Sequence, residues 1–290
     1  MELELKKECL DTYELGEPQT LTQEETAETI VPDYCPDIAR IISAEGVVCL
    51  HGGTEQDGVT GTVRVTVLYT PENESGVRAL EFAMPFSAQG EGLAGCAHVV
   101  VETEIELLES RMLNPRKIFT RCKLVTHLAG CRKVCLTISS DAETDPALLV
   151  EKRCCGQTVS LLRQVAEKDL TFSETMSLSL GREGAAELLH CRANGIVTET
   201  KAIGNKLIFK GVFLVSALYR TIGGQLASAS AELPFSQIME TDSTEENTQV
   251  SMRLRITGTD IQIDGSDDEG RQLSVTVYYH TMAFLRETRE

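Results

Sequence analysis

The strongest constraint on how this chain folds is that it repeats itself. Gly46-Val47-Val48 returns 149 residues later as Gly195-Ile196-Val197, and Met84-Pro85-Phe86-Ser87 returns at the same offset as Leu233-Pro234-Phe235-Ser236. Between them, Gly61-Thr-Val-Arg-Val-Thr-Val-Leu68-Tyr69 matches Gly211-Val-Phe-Leu-Val-Ser-Ala-Leu218-Tyr219 at an offset of 150. Three matched segments in one order, with a one-residue slip of the kind a loop insertion produces, read as two copies of one unit. A chain of 290 residues has room for two such units, each large enough to bury a core without a metal or a disulfide staple.

Each half reads as strands. Val99, Val101, Thr103, Ile105 and Leu107 alternate with Val100, Glu102, Glu104 and Glu106, the period of two that a half-buried strand requires. Val250, Met252, Leu254 and Ile256 alternate in the same way. Further strands are expected over 62–69, 78–86, 117–127, 133–139, 206–219, 226–235 and 272–284, separated by turn-forming stretches such as 71–76, 114–115, 223–224 and 264–270. One short helix is expected in each half. At 36–42, Pro36 and Asp37 precede Ile38, Ile41 and Ile42 at helical spacing, and 185–192 is the weaker counterpart. The expected architecture is all-β: two tandem antiparallel β-sandwich or partly open barrel domains, each with one short helix, over residues 1–143 and 144–290. The polar stretch 141–146 marks the boundary.

Composition narrows the function. The formal charge of -17 repels phosphate backbones and anionic lipid, so nucleic acid and membrane surfaces are unsuitable partners. No run of about 20 apolar residues exists to span a bilayer. The charged start, Met1 to Lys7, lacks the apolar centre of a signal peptide, which leads to the expectation of a cytoplasmic protein. Ten cysteines, at 9, 35, 49, 96, 122, 131, 135, 154, 155 and 191, lie mostly in apolar runs and are expected to remain thiols in that reducing compartment. Neither the spacing of Cys131 and Cys135 nor the vicinal Cys154 and Cys155 supplies the paired ligands of a zinc site.

The residues offer no catalytic constellation. The five histidines, at 51, 98, 127, 190 and 280, do not cluster in sequence, and His190 beside Cys191 would diverge from it on a helix. Asp260, Asp264, Asp267 and Asp268 surround a glycine-containing turn without the ligand order of a calcium loop, and read as a solvated hairpin. Gly181-Arg-Glu-Gly184 lacks the lysine of a phosphate loop. The absence of Trp and the 5% aromatic content disfavour stacking surfaces for sugars or bases. No cofactor, metal or catalytic residue is assigned, and the chain is expected not to be an enzyme.

One segment carries a family likeness. Glu28-Thr-Ile-Val-Pro32-Asp33-Tyr-Cys-Pro36-Asp37-Ile-Ala-Arg-Ile-Ile-Ser-Ala44, followed by the Gly61–Tyr69 strand, Pro85-Phe86-Ser87 and the turn Leu113-Asn-Pro-Arg-Lys117, resembles the SPOCS domain of SipL-like spore-coat morphogenetic proteins. Two copies are expected, over about 20–140 and 165–285, the second with Ser177-Leu-Ser-Leu-Gly-Arg-Glu-Gly184 in place of the Pro-Asp repeats and no LysM module after it. The resemblance implies a non-enzymatic adaptor in endospore coat assembly, acting in the mother cell at the forespore surface. Its implied partners are other coat proteins, among them the coat-assembly ATPase. Pro32, Asp33, Pro36 and Asp37 are the candidate protein-binding residues, although prolines in this segment also suit a structural use at a sheet edge. Two other readings stand beside it: a carbohydrate or cell-wall binding β module, which needs an exposed aromatic platform, and a thiol- or metal-dependent enzyme, which needs a thiol of depressed pKa in a cleft.

Overall fold

The computed structural model describes residues 4–51, 58–143, 151, 153, 156, 158–178, 183–242, 244, 247–264 and 271–289. Thirteen antiparallel strands make it up: β1 (Glu4–Leu15), β2 (Gln19–Ile30), β3 (Ile38–His51), β4 (Gly58–Pro71), β5 (Arg78–Gln89), β6 (His98–Asn114), β7 (Lys117–Glu143), β8 (Val159–Ser177), β9 (Ala185–Ile203), β10 (Lys206–Thr221), β11 (Leu226–Glu240), β12 (Gln249–Ile263) and β13 (Gln272–Arg289). The all-β class is as the alternation required, and among the described residues the sheets are open and no barrel closes. The expected boundary at 143/144 falls after β7, and residues 144–150 lie outside the described set.

Both expected helices are strands. Ile38 to Ile42 begins β3, and 185–192 begins β9. The false helical period has a physical origin in β-bulges. Opposite β4 the register passes from Ile38 to Arg40 and from Ile41 to Ser43, so Ala39 and Ile42 are extra residues. An extra residue shifts the strand's facing parity, which puts Ile38 and Ile41 on one side at a spacing of three. The same device recurs in β9 opposite β10, where the register skips residue 186 and then residue 189. Branched isoleucines at 38, 41 and 42 also favour extended backbone over helix.

Two three-stranded meanders, β3-β4-β5 and β9-β10-β11, each pack against part of a seven-stranded sheet ordered β12-β13-β8-β1-β7-β2, with β6 also paired to β7. Alternation makes each central strand one-sided. Val63, Val65, Val67 and Tyr69 of β4 are buried with Ile118, Cys122, Leu124 and Leu128 of β7. In the C-terminal half, Leu207, Phe209, Phe213, Val215 and Tyr219 of β10 are buried with Leu273, Val275, Val277 and Tyr279 of β13.

Gly61 pairs with Phe86, and Gly211 with Phe235. A Cβ on either glycine would stand 2.5 Å from the ring Cζ of its partner phenylalanine. The repeated glycine is therefore the space into which the repeated phenylalanine folds. The Gly46 and Gly195 segments behave differently: Gly46 lies opposite Val65, whereas Gly195 lies opposite Phe213. Counted along the ladders, Gly195 corresponds to Val48, so this stretch of sequence identity is displaced by two residues from structural equivalence. The glycine stands where the larger Phe213 ring needs room, and a Cβ at 195 would meet that ring at 2.9 Å.

The runs 117–127 and 133–139, expected as two strands, are one. β7 pairs with β2 as far as Leu128 and with β1 from Cys131 onward, changing partner at Gly130, where a side chain would collide with the Cys96 sulfur. β1, β2 and β8 gave little sequence signal. Every position of β2 on its inner face is only partly buried, and those positions include Gln23, Glu25 and Thr29.

Replacing Gly61 or Gly211 with valine is expected to destabilise the protein by about 1–3 kcal/mol, the usual cost of overpacking a filled core. Urea unfolding followed by circular dichroism measures this. An unchanged midpoint for both variants would show that the phenylalanine rings are free to move aside.

Candidate functional site

The Pro-Asp segment links β2 to β3 and is held by the turn between β6 and β7. The Arg116 guanidinium donates from Nη1 to the Cys35 carbonyl at 2.8 Å and from Nη2 to the Val31 carbonyl at 2.8 Å. The same two nitrogens reach Asp37 Oδ1 at 3.0 Å and Asp33 Oδ1 at 3.1 Å. Main-chain bonds close the arrangement: Val31 N–H to the Arg116 carbonyl, Ile38 N–H to the Pro115 carbonyl and Glu72 N–H to the Asp37 carbonyl, each 2.9 Å. The Tyr69 hydroxyl, its pKa pushed up to about 12 chiefly by burial, donates to the Pro36 carbonyl at 3.2 Å. A planar fork of donors suits this task because two carbonyls and two carboxylates converge on it.

The four candidate residues thus divide. Pro36 and Asp37 are partly buried elements of the lock, and Pro32 starts a turn closed by the Cys35 N–H to the Pro32 carbonyl at 2.9 Å. Asp33 is solvent-exposed, tied to the lock only through its 3.1 Å pair with Arg116, and between it and Cys35 stands Tyr34, 88% exposed. Sequence reasoning named the frame and passed over Tyr34, whose only signal was a large aromatic in the middle of a turn. The partner that holds the frame, Arg116, lay within the quoted Leu113–Lys117 turn, but nothing in the sequence linked it to the aspartates.

The C-terminal half repeats part of this lock. Leu178 N–H bonds the Arg271 carbonyl at 2.7 Å, as Val31 does Arg116, and Ile222 N–H bonds the Gly184 carbonyl at 3.0 Å, as Glu72 does Asp37. Among the described residues, the buried Tyr219 hydroxyl has no counterpart of the Tyr69 bond. Residues 179–182, including Gly181, and Asp267 and Asp268 lie outside the described set.

A second feature, invisible in sequence, is the seam between the halves. Only Tyr13 and Leu162 pair directly between β1 and β8, with Thr12 Oγ1 donating to the Leu162 carbonyl at 3.1 Å and Arg163 donating to the Asp11 carbonyl. Around this joint Val100, Ala129, Cys131, Leu162, Val165, Met282 and Phe284 form a small apolar cluster with Tyr13 packed on it. Beside it opens a cleft of about 900 Å³ whose walls include His51, His98, Glu167, Arg253, Arg255 and His280. Glu167 accepts from His98 Nδ1 at 2.5 Å and faces His280 Nε2 at 3.4 Å, while His280 Nδ1 bonds Asp169 at 2.8 Å. Histidines scattered in the sequence at 98 and 280 are thereby brought onto one carboxylate. Arg255, from β12, lies nearby, its pKa lowered by burial and supported by the charges of Asp169 and Glu167.

His190 and Cys191, on β9 rather than on a helix, point to opposite faces of the strand. His190 Nε2 meets Glu45 at 3.0 Å, and burial pushes the Cys191 thiol up to about 11. The Cys122 thiol is likewise pushed up to about 11, and the Cys49 and Cys131 thiols are raised, all chiefly by burial. These directions are opposite to what a thiol nucleophile needs. One expectation about cysteine is corrected. Cys9 of β1 and Cys135 of β7 form a disulfide, because neighbouring antiparallel strands bring their Cα atoms within 5.6 Å. Cys154 and Cys155 lie outside the described residues. Among the described residues no group of three or more His, Cys, Asp and Glu is placed to hold a metal, and no helix is long and apolar enough to cross a membrane.

Comparison with known families returns one domain. A family model described as SipL, SPOCS domain matches residues 185–264. The match covers β9 to β12, less than a third of the 290 residues, and falls in the half whose opening segment lacks the Pro-Asp repeats. Neither curated proteins nor solved structures gave a match.

Two outcomes are expected from this geometry. Arg116→Ala should cost about 2–4 kcal/mol, since bonds from a charged donor to two carbonyls are lost together, and Arg116→Lys should recover little of it because an ammonium lacks the fork. Asp33→Asn should be nearly silent. Hydrogen exchange at the Val31 and Ile38 amides reads the loosening directly, and full protection in Arg116→Ala would show that the backbone bonds suffice. The seam should be pH-dependent. Glu167, held chiefly by His280, has its pKa lowered from 4.5, so its contribution is present above 4.5 and lost as pH falls through the lowered value. His280, held chiefly by Glu167, has its pKa raised from 6.5, so its contribution is full below 6.5 and lost as pH rises through the raised value. Stability measured across this range should therefore be greatest between about pH 4.5 and 6.5 relative to His280→Gln, and parallel profiles would exclude the coupling.

Proposed function

We propose that this chain is a non-enzymatic scaffold of bacterial endospore coat assembly, built from two tandem SPOCS-like β units. The observation that carries the reading is the SPOCS match at 185–264, together with the recurrence of its local geometry in the N-terminal half. The paired bulges, the Gly–Phe contact and the backbone bonds around Arg116 and Arg271 all recur. Regular ladders do not produce the same two irregularities, three residues apart, in the same relation to a partner strand by default. This supports extending the SPOCS assignment to residues about 20–140, with units meeting near 143/144.

The proposed partners are other coat proteins, among them the coat-assembly ATPase, met in the mother cell at the forespore surface. Pro32, Pro36 and Asp37 act by holding the turn, and Asp33 with Tyr34 is the part offered to a partner. A flat sugar-stacking platform has little support: among the described residues the exposed aromatics are Tyr34 and Tyr278, from separate halves and without a ring contact to each other.

Affinity capture of the tagged chain from sporulating cells, read by mass spectrometry, tests the role. Coat proteins should be recovered with the wild type, and recovery should fall for Tyr34→Ala while the melting temperature stays unchanged. A tagged chain that recovers no coat component, or that is expressed mainly in vegetative cells, would overturn the assignment.

A further inference from the structure

The joint between the halves brings two unlike faces together. The outer face of the β3-β4-β5 meander meets the start of β9 and the middle of β12, where Cys49, Arg64 and Glu81 share a cleft with Leu189, Cys191 and Thr259. The ladder registers fix which residues correspond in the two halves. Thr62 of β4 lies between Cys49 and Pro85, and Val212 of β10 lies between Ile196 and Pro234. In the same way Leu189, a bulge residue of β9, corresponds to Ile42 of β3, and Leu162 opposite Arg286 corresponds to Leu15 opposite Cys131.

Positions that the joint buries in one half are open in the other. Leu189 is 1% and Cys49 5% exposed, and neither belongs to the apolar core of its own half. Their counterparts Ile42 and Ile196 are 50% and 48% exposed. Leu162 is buried in the apolar cluster of the joint, whereas Leu15 is exposed. The open face of the C-terminal meander is also more apolar than the covered face of the N-terminal one. Ile196, Val212 and Pro234 make a row across its three strands where the N-terminal meander has Cys49, Thr62 and Pro85. Leu214, one row on, stands where Arg64 donates to the Thr259 carbonyl across the joint. The water-facing side of an antiparallel sheet carries the opposite bias.

We propose that a second copy of this chain docks on this face head to tail, repeating between chains the joint found within one. Ile196 of one copy and Ile42 of the next then share a cleft, as Cys49 and Leu189 do inside the chain. Leu214 lies over the backbone of Leu108, the counterpart of Thr259. Charge is matched as well. Glu102 and Arg253 are counterparts, and they pair at 3.5 Å across the joint with both side chains more than half exposed. Arg253 of one copy therefore faces Glu102 of the next, and opposite signs meet again. Because unlike faces join, each added copy leaves one of each kind free, and association continues into open chains or rings. The charge of -17 on every copy opposes this, and burial of the apolar row offsets it. The inference rests on the proposed reading of the halves as two copies of one unit, and not on the role in coat assembly.

Sedimentation velocity of the purified full chain tests it. The wild type should show dimers and larger species at about 100 µM, where contacts of micromolar affinity are filled. Ile42→Lys and Ile196→Lys each spoil one face at a position open to water. Each alone should weaken association by more than about tenfold, with the melting temperature of the monomer unchanged. Mixed in equal amounts they should form dimers and nothing larger, because the intact face of one variant fits the intact face of the other. A wild type that stays monomeric overturns the proposal, as does one whose largest species is a dimer, or a mixture that remains monomeric. Capture of coat proteins by a chain that stays monomeric when pure would overturn the docking and leave the scaffold reading standing. Assembly as described without capture of any coat component would do the reverse.

Discussion

The backbone ladder of β7 is the constraint on which the N-terminal half depends. One strand of 27 residues serves β2 and β6 along its first part and β1 along its second. Its inner face carries Ile118, Thr120, Cys122, Leu124, Thr126 and Leu128 into the core beneath β4, and Cys131 into the seam. The change of partner at Gly130 lets one element belong to a core, a joint and a ribbon with β1 in turn. A strand so shared fixes the relative placement of everything paired to it, because its register cannot slip in one region without turning every side chain over in the others.

The joint between halves rests on different physics. Among the described residues its direct backbone pairing is a single residue pair, and the other contacts are made by side chains: a small apolar cluster, and a carboxylate shared by two histidines. Further links are singly spaced. Arg64 donates to the Thr259 carbonyl at 2.9 Å, and Arg78 shares Glu187 with Arg220 at 3.1 and 2.6 Å. Ionic and half-exposed contacts of this kind give orientation more than cohesion.

What could be read in the sequence was the set of strands that bury one face completely. β4, β10 and β13 bury every second residue, and their period survives because the bulges in their ladders place the extra residue on the partner strand. β3 and β9 were misread as helices because bulges alter the period locally, and an isoleucine triplet spaced by three and four looks the same in either conformation. β1 and β2 were missed for the opposite reason: they bury so little that glutamate, threonine and lysine suffice. Of the candidate site, the Pro-Asp segment was visible as a motif, but its role was not. That role depends on Arg116, more than eighty positions from Val31, and only the fold brings the two together. The histidine pair on Glu167 was beyond reach for the same reason, since its members come from β6, β8 and β13.

The sparse pairing of β1 with β8 has a mechanical consequence. Strands within each half are joined by many hydrogen bonds acting side by side, which must break together when pulled along their length. Among the described residues the joint offers one backbone pair and a few side-chain ties, which yield one after another. A chain anchored at both ends in a growing shell would thus extend first at this joint, lengthening by a hinge while both cores stay folded. Its two units would behave as beads on an extensible link rather than as one stiff plate.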